Sequence, residues 1–143
     1  MIKKILATIL FICFFSLNSN AEIDKIEIKD PWIRKPLGSS KISGAYMEIV
    51  NNNNFPIEII SFTTDIAEIS EIHDMTHDNG IMRMRRVDSL IIEKNNNVIL
   101  SPQGKHIMLI NLTTKLSNKE KIPMKILIKN HPPIKIQALV KTN

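Results

Sequence analysis

Apolar and polar residues alternate along most of the chain, so that every second side chain is hydrophobic. Residues 26–29 read Ile-Glu-Ile-Lys, and residues 134–137 read Ile-Lys-Ile-Gln. Side chains two positions apart share one face of a strand, so these segments predict half-buried β-strands. The same alternation recurs in residues 82–85 and 124–128. The pattern therefore favours an all-β chain.

Short polar segments separate the alternating ones and predict the turns of an antiparallel β-sandwich. They are residues 30–31, 35–38, 51–54, 78–80, 95–97, 101–104 and 130–133. We interpret their Asn clusters as turn residues without a function. One stretch is ambiguous, because the isoleucines within residues 64–72 are spaced by three, a spacing that is also compatible with a helix.

The chain begins with the three parts of a secretory signal. Residues 1–4 are basic, residues 5–15 are apolar, and residues 19–21 end as Ser-Asn-Ala. The alternative is an uncleaved anchor, but the apolar run is short for a spanning helix, which needs about 20 residues. Cys13 lies inside the run behind bulky residues, which disfavours a lipoprotein site. We expect a signal peptide at 1–21 that is cleaved after Ala21.

Export leaves one domain, residues 22–143, of a size that can bury its own core. Cleavage of the leader would remove Lys3 and Lys4, so that 17 basic and 14 acidic residues remain, a net charge of +3. The basic residues are spread along the chain, which argues against a nucleic-acid partner. Cys13 is the single cysteine, so the mature domain has no thiol for a disulfide, for catalysis or for metal binding.

Two short segments, residues 71–84 and 104–108, contain four of the mature domain's six Met and three of its four His. Asn79-Gly80 predicts a tight hairpin turn between the two halves of the first segment. Three pairs of donors stand two residues apart and would share a strand face; they are His73 with Met75, Met82 with Met84, and His106 with Met108.

Thioether and imidazole donors together favour Cu(I). Zinc more often takes thiolate, carboxylate or additional imidazole ligands. Blue-copper electron-transfer sites need a thiolate, so we expect a copper carrier. Residue chemistry alone leaves several donors open. Met82 is more typical of core packing, Met75 is a possible substitute ligand, and His77 is either a donor or a solvated turn residue.

The spacing of His73, Met84, His106 and Met108 resembles the H-x10-M-x21-H-x-M motif of the periplasmic PCu(A)C copper chaperones. The resemblance covers essentially the whole mature chain. It implies a cupredoxin-like antiparallel Greek-key β-sandwich that binds one Cu(I) per chain through these four residues. His77 is a departure, because relatives often have Met at that position.

The resemblance also implies a role in the periplasm. Members of the family carry copper and help to metallate the CuA centre of cytochrome c oxidase subunit II, often beside a Sco-type thiol protein. We expect the same of this chain, as a monomer without nucleic acid and without stable membrane insertion after cleavage. The alternatives are a copper-buffering or copper-tolerance protein and a β-sandwich that binds a partner without metal.

Enzyme activity is not expected. His73-Asp74 suggests a hydrolase pair, but adjacent residues of a strand point to opposite faces, so Asp74 would not orient His73. The chain also has no G-x-S-x-G and no H-E-x-x-H motif.

Overall fold

The computed structural model describes residues 25–142, and all of the secondary-structure elements in that range are β-strands. The predicted signal peptide, residues 1–21, and its cleavage site lie outside the described residues. No helix between residues 25 and 142 is long and apolar enough to cross a membrane. The ten strands are β1 (Ile26–Arg34), β2 (Ile42–Asn51), β3 (Ile57–Thr63), β4 (Ala67–Asp78), β5 (Ile81–Val87), β6 (Leu90–Ile92), β7 (Asn96–Leu100), β8 (His106–Leu112), β9 (Lys121–Ile128) and β10 (Ile134–Lys141).

The hydrophobic alternation corresponds to burial along the strands. In β9, four apolar side chains are buried and the residues between them are mostly exposed; the buried residues are Ile122, Met124, Ile126 and Ile128. The ambiguous stretch 64–72 is not helical, because β4 begins at Ala67 and is paired on both sides, with β5 and β8. Of its three isoleucines, Ile66 and Ile72 are buried and Ile69 is half-exposed.

The strands form one continuous hydrogen-bonded sheet in the order β5-β4-β8-β2-β1-β10-β9-β3-β6, with β7 also paired to β2. The sheet folds over, so that β3 contacts β4 and β6 contacts β7, and its two halves cover a single core. The all-β sandwich is therefore confirmed. One pair departs from the predicted antiparallel arrangement, because β1 and β10 run parallel.

The predicted turn at Asp30-Pro31 is instead a bulge inside β1. The register with β2 shifts between Lys29 and Trp32, and Asp30 has a φ of 46°. A bulge adds a residue to one strand and redirects the side chains that follow. After it, Trp32 lies opposite Tyr46 on β2, close to the residues of the candidate site.

The Asn clusters are not all solvent-exposed turn residues, because Asn51 is fully buried. Its side-chain amide donates to the carbonyl oxygens of Phe55, Ile92 and Glu93, at 2.9, 3.1 and 3.2 Å. Its Oδ1 accepts from the backbone and side-chain nitrogens of Asn53. Asn51 therefore satisfies backbone groups from two separate segments of the chain.

The β4–β5 hairpin extends beyond the rest of the sheet. β8 pairs with β4 only as far as His73, whereas β5 pairs with β4 as far as Asp78. Residues 74–85, which we call the projecting ribbon, therefore form a two-stranded segment. Its turn is the predicted one, with positive φ at Asn79 (50°) and Gly80 (79°), as tight two-residue hairpin turns require.

Candidate metal centre

His73 and His106 face each other across neighbouring strands. The antiparallel register of β4 and β8 pairs His73 with His106 and pairs Ile72 with Ile107. Both isoleucines are buried in the core, so the two histidines project from the opposite face of the sheet. Their ring centroids lie 5.9 Å apart, with 34° between the ring planes. Two predicted ligands that are distant in sequence are therefore neighbours.

A hydrogen bond holds the His106 ring and leaves one nitrogen available. Nδ1 lies 2.9 Å from the carbonyl oxygen of Gly104, and a carbonyl oxygen can only accept, so Nδ1 donates. In the neutral imidazole the other nitrogen, Nε2, then has a lone pair. Metal-binding histidines are commonly held in this way through the nitrogen that does not bind the metal.

The His73 ring is held through the other nitrogen. Nε2 lies 2.8 Å from Oε2 of Glu71, whose Oε1 accepts from Nη1 of Arg86 at 3.3 Å. Nε2 therefore donates to the carboxylate, and Nδ1 has the lone pair. Among the described residues, no group hydrogen-bonds this buried Nδ1. A buried polar atom without a partner costs about 1–3 kcal/mol, and a cation bound at Nδ1 would remove that cost.

The two predicted methionine ligands lie on different sides of the histidine pair. Met108 is two residues from His106 on the same face, is partly buried and lies opposite Glu71. Met84 lies on β5 opposite Met75 and is 47% exposed. Met84 and Met75 therefore lie next to His73 on the side of the projecting ribbon. The register of β4 and β5 places both methionines near that histidine.

Met82 does not fill the core, so its interpretation as a packing residue is wrong. It lies on β5 opposite His77 and is 47% exposed. Because positions two apart share a strand face, Met82, Met84 and the histidines all project from the face away from the core. Within residues 25–142, no group of three or more His, Cys, Asp or Glu side chains is arranged to hold a metal ion.

Tyr46 and Trp32 pack against each other beside the histidine pair, a contact that the sequence did not predict. The Tyr46 ring centroid lies 6.4 Å from that of His106 and 4.4 Å from that of Trp32. The ring lies over Gly44, where an added Cβ would be 2.6 Å from Cζ of Tyr46. Gly44 in turn pairs with Met108. The two-residue spacing of Gly44 and Tyr46 on a strand was the signal for this contact.

Charged groups near the site are largely paired. Lys105 Nζ lies 2.9 Å from Oδ2 of Asp74, so Asp74 turns away from His73, as strand parity predicted. Glu71 orients His73 instead. The two residues are two positions apart on β4, and this spacing, which places them on one strand face, was the signal for the contact. Burial raises the pKa of the Tyr46 phenol, and the charge of Arg34 partly opposes this rise. Tyr46 is therefore neutral near pH 7.

Comparison with known proteins gives a family and a set of related folds. The family model for LpqE-like lipoproteins matches residues 26–140. The uncharacterised protein RP573 of Rickettsia prowazekii is 30% identical over 88 residues, which are 59% of this chain and 49% of that protein. The chain thus spans about half the length of the curated relative that it matches.

The related structures are copper-binding PCuAC domains. The copper-bound PCuAC domain from PmoF2 has a TM-score of 0.71 at 21% identity, covering 85% of this chain and 96% of its own. The Cu(I) form of DR1885 from Deinococcus radiodurans has a TM-score of 0.70 at 23% identity, covering 88% and 86%. At these identities the similarity concerns the fold. The chain belongs to the LpqE-like family, and its fold is that of the PCuAC domains, the family that its motif resembles.

Proposed function

We propose that this protein is an exported copper chaperone that carries one tightly bound Cu(I) ion on His73, Met84, His106 and Met108. The observation that carries the proposal is the histidine pair. Its rings are 5.9 Å apart, each ring is held through one nitrogen, and Nδ1 of His73 is buried without a hydrogen-bond partner in residues 25–142. Copper in the PCuAC structures supports the choice of metal.

The donor set favours Cu(I) over other ions. Neutral thioethers bind soft monovalent copper and contribute little to the binding of zinc or of hard divalent cations. Two imidazoles and two thioethers would leave the bound ion with its single positive charge. The sheet supplies both histidines and Met108 from fixed strands, and Met84 comes from the exposed β5 strand. Met84 is therefore the ligand most easily displaced.

Release would proceed by ligand exchange, without covalent chemistry on the protein. An incoming donor from the acceptor first replaces the Met84 thioether, because that side chain is 47% exposed. His106 is buried and is replaced last.

The proposed acceptor is the CuA centre of cytochrome c oxidase subunit II, with a Sco-type thiol protein acting beside it. The family resemblance supports this acceptor. The leader-like segment 1–21 and the lipoprotein family both support export to the periplasm.

A Cu(I) titration of the mature protein tests the site. Against a strong Cu(I) chelator we expect one ion per chain by native mass spectrometry. The double variant H106A/M108A should lose more affinity than the roughly 10- to 100-fold that removal of one outer-shell partner typically costs, because two of the four ligands themselves are removed. His131→Ala is the matched control, since His131 stacks on Phe55 in a remote turn, and it should bind as the wild type does. Unchanged binding by H106A/M108A would reject this ligand set.

X-ray absorption at the copper edge gives an independent count of the donors. We expect two nitrogen and two sulfur scatterers in the one-to-one complex, because imidazole and thioether donors differ in atom type and bond length. A spectrum without sulfur scatterers would contradict the assignment of Met84 and Met108.

A transfer experiment tests the chaperone role separately. The Cu(I)-loaded protein is mixed with an apo CuA domain of cytochrome c oxidase subunit II, and the two are separated and assayed for copper. We expect copper to move to the acceptor. Retention of copper by a protein that binds it normally would favour a buffering role instead.

A further inference from the structure

A second set of soft donors lies on the projecting ribbon, outside the four residues of the proposed site. The β4–β5 register pairs Met75 with Met84 and His77 with Met82. Both pairs occupy the face that also carries His73, because all of these positions are separated by even steps along their strands. Directly opposite residues in an antiparallel pair have Cβ atoms about 4.5–5.5 Å apart. The donors therefore surround one small area of the ribbon face.

The hydrophobic core formed by residues 25–142 contains none of these side chains. Met82 and Met84 are each 47% exposed, and His77 at the end of β4 is exposed as well. Within residues 25–142, His77 takes part in none of the side-chain hydrogen bonds or ion pairs. About half of the apolar surface of Met82 and of Met84 stays in water, which reduces what each contributes to packing. Soft donor chemistry is the property that Met75, His77, Met82 and Met84 share.

Charges on the ribbon lie mainly on its other face. Asp74, Asp78, Arg83 and Arg85 occupy the alternate positions of the two strands, so their side chains project away from the Met and His side chains. Asp74 is also paired with Lys105. The ribbon face with the sulfur donors therefore presents no carboxylate, which disfavours hard cations such as Mg²⁺ or Ca²⁺.

We propose that Met75, His77 and Met82 form a second, weaker Cu(I) site at the tip of the β4–β5 hairpin, from which the ion passes to Met84 and the histidine pair. Three neutral donors, two thioethers and one imidazole, match the ligand preference of Cu(I). Met84 is the direct neighbour of Met75, so it links the two sites. The ribbon site is inferred from the register of β4 and β5, whereas the transfer of the ion to the histidine pair rests on the proposed function.

Ag(I) is the probe for the test, because it is a soft monovalent ion that, unlike Cu(I), is not oxidised to a divalent ion in aerated buffer. Mature protein carrying ¹³C-methyl methionine is titrated and followed by NMR. In the wild type, a first equivalent should shift the methyl signals of Met84 and Met108. A second equivalent should shift those of Met75 and Met82. The Thr76→Ala/Arg83→Ala variant is the matched control, since these two residues form the facing pair on the other face of the same ribbon; it should behave as the wild type does.

Two further variants separate the proposals. His77→Ala/Met82→Ala should bind a single equivalent, and its loading with Cu(I) in stopped-flow mixing should slow at least about tenfold. H106A/M108A should still show the Met75 and Met82 shifts with one equivalent of Ag(I). If those shifts are absent in H106A/M108A while the wild type binds one ion normally, the ribbon site is rejected and the proposed function stands. If H106A/M108A binds as many ions as the wild type, the proposed main site is rejected instead.

Discussion

Glu71 is the residue that sets the orientation of His73. Its carboxylate accepts from Nε2 of the imidazole at 2.8 Å and from Arg86 at 3.3 Å. The bond fixes the tautomer in which Nδ1 has the lone pair. Acceptors of this kind typically change metal affinity by about 10- to 100-fold when they are removed. If copper binds at His73 as proposed, Glu71 acts on it through the orientation of that ring.

Glu71→Ala should accordingly weaken Cu(I) binding by about 10- to 100-fold in chelator competition. Glu71→Gln retains a neutral acceptor and should lose less than tenfold. Glu68→Ala is the control, because Glu68 lies on the same strand but bonds to Asn111; its affinity should be unchanged. Equal affinities for Glu71→Ala and the wild type would mean that His73 does not depend on this bond.

Gly44 is required because the Tyr46 ring lies directly above it. Gly44→Ala would place a Cβ 2.6 Å from Cζ of Tyr46, so the ring must move away from Trp32 and His106. We expect a loss of about 1–3 kcal/mol in the free energy of unfolding, as is usual for overpacking, and a change in Trp32 fluorescence. Chemical denaturation followed by fluorescence measures both.

The double variant Gly44→Ala/Tyr46→Leu provides the control, since the smaller side chain leaves room for the methyl group. Tyr46→Leu should therefore cost less stability in the Gly44→Ala background than in the wild type, a coupling that a double-mutant cycle detects. Additive losses would show that the two residues do not clash.

At the scale of the elements, the end of β2 depends on a buried amide. Asn51 bonds three backbone carbonyl groups, from the turn after β2 and from the end of β6. Asn51→Ala leaves them without this donor and should lower the free energy of unfolding by about 3 kcal/mol in urea denaturation. Asn54→Ala, in the same turn but exposed, should change it by less than about 0.5 kcal/mol. Similar small losses for both variants would reject the structural role of Asn51.

The β4–β5 hairpin differs from the other elements because part of it lacks a third strand. A two-stranded segment alone is marginally stable in water, and the ribbon has mostly exposed side chains. Such a segment opens more readily than a central strand. In the proposed ribbon site, the donors at the tip would therefore rearrange around the ion while the histidine pair stays fixed by β8.

At the scale of the whole molecule, copper binding should stabilise the fold. A ligand that binds only the folded state adds about 2.7 kcal/mol at a free concentration one hundred times its Kd. Cu(I) should therefore raise the Tm of the mature protein in calorimetry, and H106A/M108A should lose most of the increase. A wild-type Tm that does not respond to Cu(I) would favour the alternative of a β-sandwich that binds its partner without metal.

The sequence by itself determined most of the strands, the β4–β5 hairpin and the group of candidate donors. Alternating burial is a local property, because period-two patterns read directly as strand faces, and β9 shows it along its whole length. The turn at Asn79-Gly80 was likewise readable from two residues. The spacing of the four donors also identified the family.

Only the tertiary structure decided which donors meet and what holds them. The pairing of His73 with His106 depends on the register of β4 and β8, and strand register is set by packing across the sheet, which local patterns do not contain. Tertiary pairing also decided that residues 67–72 form a strand, because their isoleucine spacing suited a helix as well. It likewise decided that Asn51 is buried and bonds backbone groups of two other segments. The exposure of Met82 was decided in this way too. Its alternation with arginines gave a strand, but only the position of β5 at the edge of the sheet left that methionine in solvent.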